Sequence, residues 1–330
     1  YYATEDLNED YNSGFGASFG PGFDLVRTPY QQEVETLAFF GQAEYRFAPL
    51  WNVVAGLRWE QEDRDLLNLG TFANGFGTFN FANGTGTDPI LNPLVLENRS
   101  TSLDEVTGKL ALEYKPDEDV LLYASVSRGI KSGGFTAVNT LNPNAINPFK
   151  PEELWAYEAG FKSDLHDDTV RLNGAVFYYD YSDQQVQSAI WVDVPPPTLV
   201  GRIVNAEKSE IYGGELELIW KAAPELTITQ ALGYKHGEFE TFLDADASTP
   251  FGTLDRSGQD IGFPELSYAG AVTYERQTNL GFAYTAHFDY SFRDEQSFPL
   301  LGPAFTLDSY WLANAFVAIK PDGWNWEFAL

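Results

Sequence analysis

Residues 119–187 read DVLLYASVSRGIKSGGFTAVNTLNPNAINPFKPEELWAYEAGFKSDLHDDTVRLNGAVFYYDYSDQQVQ. From Thr169 to Tyr178, Val170, Leu172, Val176 and Tyr178 share one parity, with Gly174 among them, while Arg171 and Asn173 take the other. A period of two is that of a β-strand with one apolar and one polar face. The segment before it alternates likewise, Trp155, Tyr157, Ala159, Phe161 and Leu165 against Ala156, Glu158, Gly160, Lys162 and Asp164. Only His166, Asp167 and Asp168 separate the two, whereas the link at 131–151 is long and rich in Gly, Asn and Pro. Short turns at one end, long loops at the other and aromatics near the strand ends describe a hairpin of an outer-membrane β-barrel.

The same period spreads in both directions. Leu37, Phe39, Gly41, Ala43, Tyr45 and Phe47 oppose Ala38, Phe40, Gln42, Glu44 and Arg46. After Ala48-Pro49-Leu50, Trp51, Val53, Ala55, Leu57 and Trp59 oppose Asn52, Val54, Gly56, Arg58 and Glu60. About eight steps of ~3.3 Å, tilted by about 40°, raise that strand ~20 Å, close to the ~25 Å apolar band of such barrels. Val106, Gly108, Leu110, Leu112 and Tyr114 follow, then Tyr212, Gly214, Leu216, Leu218 and Trp220, then Leu226, Ile228, Leu232 and Tyr234 with Gln230 as an exception. Leu266 to Tyr274, Leu280 to Phe292, Trp311 to Ile319 and a final strand through Trp324, Trp326, Phe328 and Leu330 complete the outward set. The segment 119–131 stays ambiguous, because Leu121, Leu122 and Tyr123 put apolar groups on both faces. Residues 1–32 read as an acidic and then Gly-rich loop, and long loops are expected at 66–101, 132–151, 188–202, 240–262 and 294–305. Short turns are expected at 48–50, 116–118, 166–168, 222–224, 277–279 and 321–323, on the periplasmic side.

Several runs resemble a known family. YASVSRGIKSGGF (123–135), NPFKPEELWAYEAGFKS (147–163), NGAVFYYDYSDQQVQ (173–187), VNAEKSEIYGGELEL (204–218) and SYWLANAFVAI (309–319) look like barrel blocks of TonB-dependent outer-membrane receptors, in that family's order. WNVVAGLRWEQEDRD (51–65) resembles an earlier block. The resemblance implies an all-β, transmembrane antiparallel β-barrel, partial here, with about a dozen of an expected ~22 strands. Residues 1–330 would be barrel, incomplete at both ends, with the plug domain and the TonB-contacting segment outside this sequence. Two open sheet edges in lipid would leave backbone groups unpaired at high cost, so further strands are expected.

Composition sets independent bounds. Twenty basic against 48 acidic side chains give a net charge of −28, which argues against a nucleic-acid partner. Acidic loops attract cations instead. Cysteine is absent, so no disulfide framework exists. No apolar run approaches the ~18 residues of a membrane helix.

No catalytic set emerges, and an enzyme is not expected. His166, His236 and His287 are scattered, and none forms a metal pair at i,i+4. His287 lies at an inward position near Asp289 and Ser291 without a nucleophile motif, so a polar barrel interior accounts for it. The run Asp244, Asp246, Ser248 and Asp255 echoes a calcium loop, but Thr249 replaces the glycine such a loop needs, which favours a solvated acidic loop. The Gly14–Gly16 GxG lacks the strand and helix of a nucleotide site. Inward charges of both signs, among them Glu44, Arg58, Glu113, Glu158, Lys162 and Arg171, suit a wall against which a plug packs.

What the resemblance implies is an energised receptor that imports a scarce ligand, a ferric siderophore before cobalamin, haem or a glycan, with a passive porin-like channel as the alternative. It needs no cofactor. Its expected partners are the TonB energy-transducing complex, the small ligand, and outer-membrane lipid and lipopolysaccharide around a monomer. For ligand contact, the loop from Lys131 to Lys150 offers Phe135 and Phe149 as apolar surface and Lys131 and Lys150 as charges for an anionic chelate. Concave sites combine apolar area with a few placed polar groups.

Overall fold

The structure, a computed structural model, describes residues 1–13, 26–73, 93–136, 146–193, 197–297 and 305–330. No α-helix occurs among them. The strands are β1 (Tyr2–Ser13), β2 (Val26–Ala48), β3 (Trp51–Ala73), β4 (Pro93–Tyr114), β5 (Val120–Lys131), β6 (Glu152–Leu165), β7 (Val170–Val192), β8 (Thr198–Ala223) and β9 (Leu226–Thr241). They continue with β10 (Leu243–Ala245), β11 (Thr253–Asp255), β12 (Leu266–Gln277), β13 (Phe282–Arg293), β14 (Gln296–Ser297), β15 (Thr306–Leu307), β16 (Tyr310–Pro321) and β17 (Phe328–Ala329). Thirteen form one sheet in chain order, skipping β10–β11 and β14–β15, which are separate small hairpins. Every pairing is antiparallel, as a portion of an up-and-down barrel wall requires.

Register bears out the alternation. Phe39 faces Trp59 and Trp59 faces Val106; Leu57 lies between Gly41 and Gly108. Val176 pairs with Gly214 and Tyr178 with Tyr212, on the same face as Leu218 and its partner Leu172. The outward apolar side chains have no protein layer over them: Leu57 is 68% exposed and Val176 63%. Such a face suits the hydrocarbon-contacting side of a barrel wall.

Pairing also settles the ambiguous segment. Leu112 pairs with Ala124 and Tyr114 with Leu122, so Leu122, Ala124 and Val126 face outward and Tyr123 inward. There the Tyr123 hydroxyl donates to Glu158 Oε1 at 2.7 Å. The tight turn after β6 puts His166, Asp167 and Asp168 in the left-handed region, φ 53°, 52° and 60°. Short polar side chains tolerate that region best.

Four expectations are corrected. Residues 1–32 are not a single loop: β1 pairs along its length with the upper half of β2, from Tyr2–Leu37 to Ser13–Val26. The loop expected at 66–101 is ladder at both its ends, since β3 runs to Ala73 and β4 starts at Pro93, and the one expected at 188–202 is largely ladder, since β7–β8 pair up to Val192–Thr198. Beyond the bilayer no apolar face is needed, so these extensions carry no alternation to read. Finally, β16 runs through Pro321 and only Phe328–Ala329 pairs beyond it, so Trp324 and Trp326 lie in the connection and not on a strand. Leu280 likewise falls in the turn before β13. The phenylalanine-rich run within 74–92 and the GxG at 14–16 lie outside the described residues.

The exception Gln230 has a physical account. It lies on the outward face opposite Gly270, and its carboxamide oxygen accepts the hydroxyl protons of Tyr268 and Tyr290, the latter at 2.7 Å. A polar amide in hydrocarbon is tolerable only when satisfied. Gly270 leaves the space: a Cβ there would lie 2.6 Å from Tyr290 Oη and 2.7 Å from Gln230 Nε2. Gly270→Ala is therefore expected to cost about 1–3 kcal/mol by forcing that trio apart. Thermal unfolding in detergent measures it, and an unchanged midpoint would contradict the packing.

Candidate ligand-capture surface

The inward face is a polar wall. Asn52 bridges two strands, its Nδ2 donating to Glu44 Oε1 at 2.7 Å and to Glu113 Oε2 at 3.0 Å. Asn314 Nδ2 donates to Asp289 at 2.9 Å, and His287 shares a proton with Thr273 Oγ1 at 2.8 Å while stacking on Phe316.

At the long-loop end two small cores hold the surface together. Leu66, Leu69 and Ile146 are fully buried, with Tyr30 and Phe135 packed against them. Ala206, Phe239 and Phe242 form the second, with Val186, Val204 and Ile261 around it.

The Lys131–Lys150 loop is clamped at its base. Gly134 and Phe149 exchange backbone hydrogen bonds of 3.2 and 2.9 Å. Gly133 has no room for a side chain, since a Cβ would meet Phe149 O at 2.4 Å. Gln185 Nε2 donates to Ser132 O at 2.9 Å and Lys150 O at 3.2 Å. Asn205 completes the clamp: its Nδ2 donates to Lys150 O and Asp183 O at 3.0 and 2.8 Å, and its Oδ1 accepts from Lys150 N at 2.8 Å. Arg202 reaches Asn147 O at 3.1 Å, and burial pulls its guanidinium below the ordinary range.

The four residues named from the sequence are thus only partly brought together. The two loop ends meet through Phe149, whose ring lies over Gly134. Lys131 is exposed at the tip of β5. Lys150 is exposed but ion-paired with Asp183 at 3.0 Å. Phe135 packs on the Leu66 core. Gln185, Asn205 and Arg202, the residues that set the loop's shape, were not singled out. The first two lie inside the family-like runs 173–187 and 204–218, which is the one signal that pointed to them.

The acidic segment at 244–255 is a hairpin, β10 on β11. Asp244 is buried and accepts from Ser188 Oγ at 2.5 Å, Ala245 N at 2.8 Å and Arg256 Nε at 3.3 Å. The solvated acidic loop expected here is thus corrected at Asp244, whose carboxylate is buried and engaged by three donors. Asp246 caps its own turn, and bonds from Ser248 Oγ and N hold its carboxyl below the usual carboxylate range. Asp255 is lowered in the same way by Ser257.

Comparison with known proteins places this geometry. A family model described as "TonB dependent receptor-like, beta-barrel" matches residues 1–330. The chain is 25% identical over 219 residues to the pesticin receptor of Yersinia pestis, covering 65% of this chain and 28% of that protein. It is 25% identical over 238 residues to a probable TonB-dependent siderophore receptor, PiuA, of Acinetobacter baumannii, covering 71% and 27%. The chain thus spans under a third of the length of these curated relatives. In fold it is similar to the ferric yersiniabactin uptake receptor FyuA of Yersinia pestis, TM-score 0.69 at 19% identity, over 96% of this chain and 42% of that one. The PiuA structure follows with TM-score 0.63 at 18% identity, over 91% and 39%. No helix of the described residues is long and apolar enough to cross a membrane, which says nothing of strands. Matched over its whole length, the chain belongs to the TonB dependent receptor-like, beta-barrel family.

Proposed function

We propose that this chain is barrel wall, along residues 1–330, of an energised outer-membrane receptor that imports a scarce ligand, with a ferric siderophore as cargo. The family is one of outer-membrane transport receptors and not of enzymes. The observation that carries the reading is the family match over the whole chain, joined to relatives named as pesticin and siderophore receptors. The polar inward wall then contacts a plug, further strands pair with β1 and β17, and TonB acts from the periplasmic side on a monomeric receptor.

Ligand capture falls to the long-loop end, because binding residues concentrate on loops held by a rigid scaffold. Lys131 supplies a cation toward an anionic chelate, and Phe149 supplies apolar surface over the clamp. Lys150 contributes less charge, being paired with Asp183. Phe135 acts by holding the loop on the Leu66 core.

Deleting residues 136–147 in a receptor whose heat-modifiability proves the barrel intact is expected to weaken siderophore binding. Ile146 leaves with that deletion, so Lys131→Gln with Phe149→Ala serves as the milder variant. Unchanged affinity in both would remove this loop from the site. Uptake that persists without TonB would instead favour a passive channel.

A further inference from the structure

Beyond the transport reading, the outer face carries a cluster that no part of it uses. His236 faces outward on β9, one outward position beyond Tyr234, with its ring 5.4 Å from that of Tyr212. The segment returning to β12 runs alongside. Glu238 bridges Asp260, Ile261 N donates to Gly237 O at 3.0 Å, and Lys235 N donates to Glu265 O at 2.9 Å. These backbone bonds hold Asp260 and Glu265 beside His236. One ligand atom from each of the three lies within 4.8 Å of the others. Glu265 Oε1 contacts His236 Nδ1, and Glu238 Oε2 stands 3.9 Å from Nε2.

We propose that His236, Asp260 and Glu265 form a binding site for a first-row divalent metal ion of the zinc class on the outward rim of the barrel. Three points carry it. The ligand set is mixed: an imidazole selects transition ions, where carboxylates alone would suit calcium or magnesium. The ligands come from two chain segments already pinned to each other, so closing onto an ion that takes ligands at ~2.0–2.2 Å needs only side-chain adjustment. Neither nearby lysine competes for the carboxylates: Lys235 points to the opposite face, 4.3 Å over the Phe263 ring, and Lys208 is bound to Glu240 at 2.5 Å. Three protein ligands leave coordination positions for water or for an anionic group from outside. The ion would clamp the 259–265 segment to β9 at the level where the strands leave the aromatic rim.

The test is a Co2+ titration of the intact receptor, purified in detergent and freed of metal with a chelator. Ligand-field absorption that saturates and is displaced by Zn2+ but not by Ca2+ is expected. His236→Gln and Asp260→Asn, each checked for heat-modifiability, are expected to weaken binding by at least the roughly tenfold that even an outer-shell partner is worth. Lys235→Gln, facing the other way, should bind as the parent does. Absence of the absorption, equal displacement by Ca2+, or full binding by both ligand variants would overturn the site and leave His236 and Glu265 as an ion pair. None of these outcomes bears on whether the receptor transports a siderophore.

Discussion

Leu57→Arg and Leu218→Arg are each expected to cost about 2–4 kcal/mol of folding stability, the depth-dependent cost of a guanidinium near the bilayer midplane. Leu57 lies between two glycines, Gly41 and Gly108, and is 68% exposed on the outward face. Leu218 sits between Leu172 and Gln230 on the same face. Arg58, one residue along, belongs to the other side, where its Nε bonds Glu60 Oε2 at 2.5 Å. Arg58→Leu is therefore expected to be milder. Refolding titrations from denaturant into lipid vesicles measure all three. Equal losses for the two classes would show the facing to be wrong.

Arg256→Leu is expected to be the costliest exchange in the external loops. Its partner Asp244 has 3% of its side chain exposed, and Arg256 itself 15%. Removing one member of a buried pair typically costs about 3–5 kcal/mol, because the remaining charge has no compensation. Ser188 and Ala245 still donate to Asp244 Oδ1, which puts the expected loss at the low end, about 3 kcal/mol. The effect should be local. Amide exchange in 243–257 should speed up while the membrane strands stay protected, and adding Asp244→Asn should restore part of the protection. Unaltered exchange in that hairpin would mean the pair does not hold it.

The parts legible in the sequence were those that lipid constrains. A hydrocarbon boundary forces strict alternation, so Val53, Ala55 and Leu57, or Leu216 and Leu218, declare their face residue by residue. Gln230 broke the pattern, and only the through-space meeting with Tyr268 and Tyr290 explains it. Outside the bilayer that constraint vanishes. TEDLNED at 4–10 nonetheless pairs residue for residue with β2, from Thr4–Glu35 to Asp10–Pro29, because a backbone ladder needs no apolar face. The loop clamp was hidden for another reason. Gln185 and Asn205 act on carbonyls more than fifty residues upstream, at Ser132 and Lys150, a distance no local period encodes. His236, Asp260 and Glu265 show the same limit: spacing along the chain excluded a metal pair, while the return of the chain to β9 creates a trio.

The Gln230 trio also bears on how the wall is built. Its amide sits on β9, one hydroxyl on β12 and the other on β13. A β9 strand released alone into hydrocarbon would carry an unpaired carboxamide, a cost of a few kcal/mol that its next two neighbours remove. Entry of β9 together with its neighbours is therefore expected to cost less than entry of β9 alone. Pairing with β12 already supplies the Tyr268 hydroxyl, and β13 adds that of Tyr290, so the order in which these neighbours join β9 decides how long the amide goes unsatisfied.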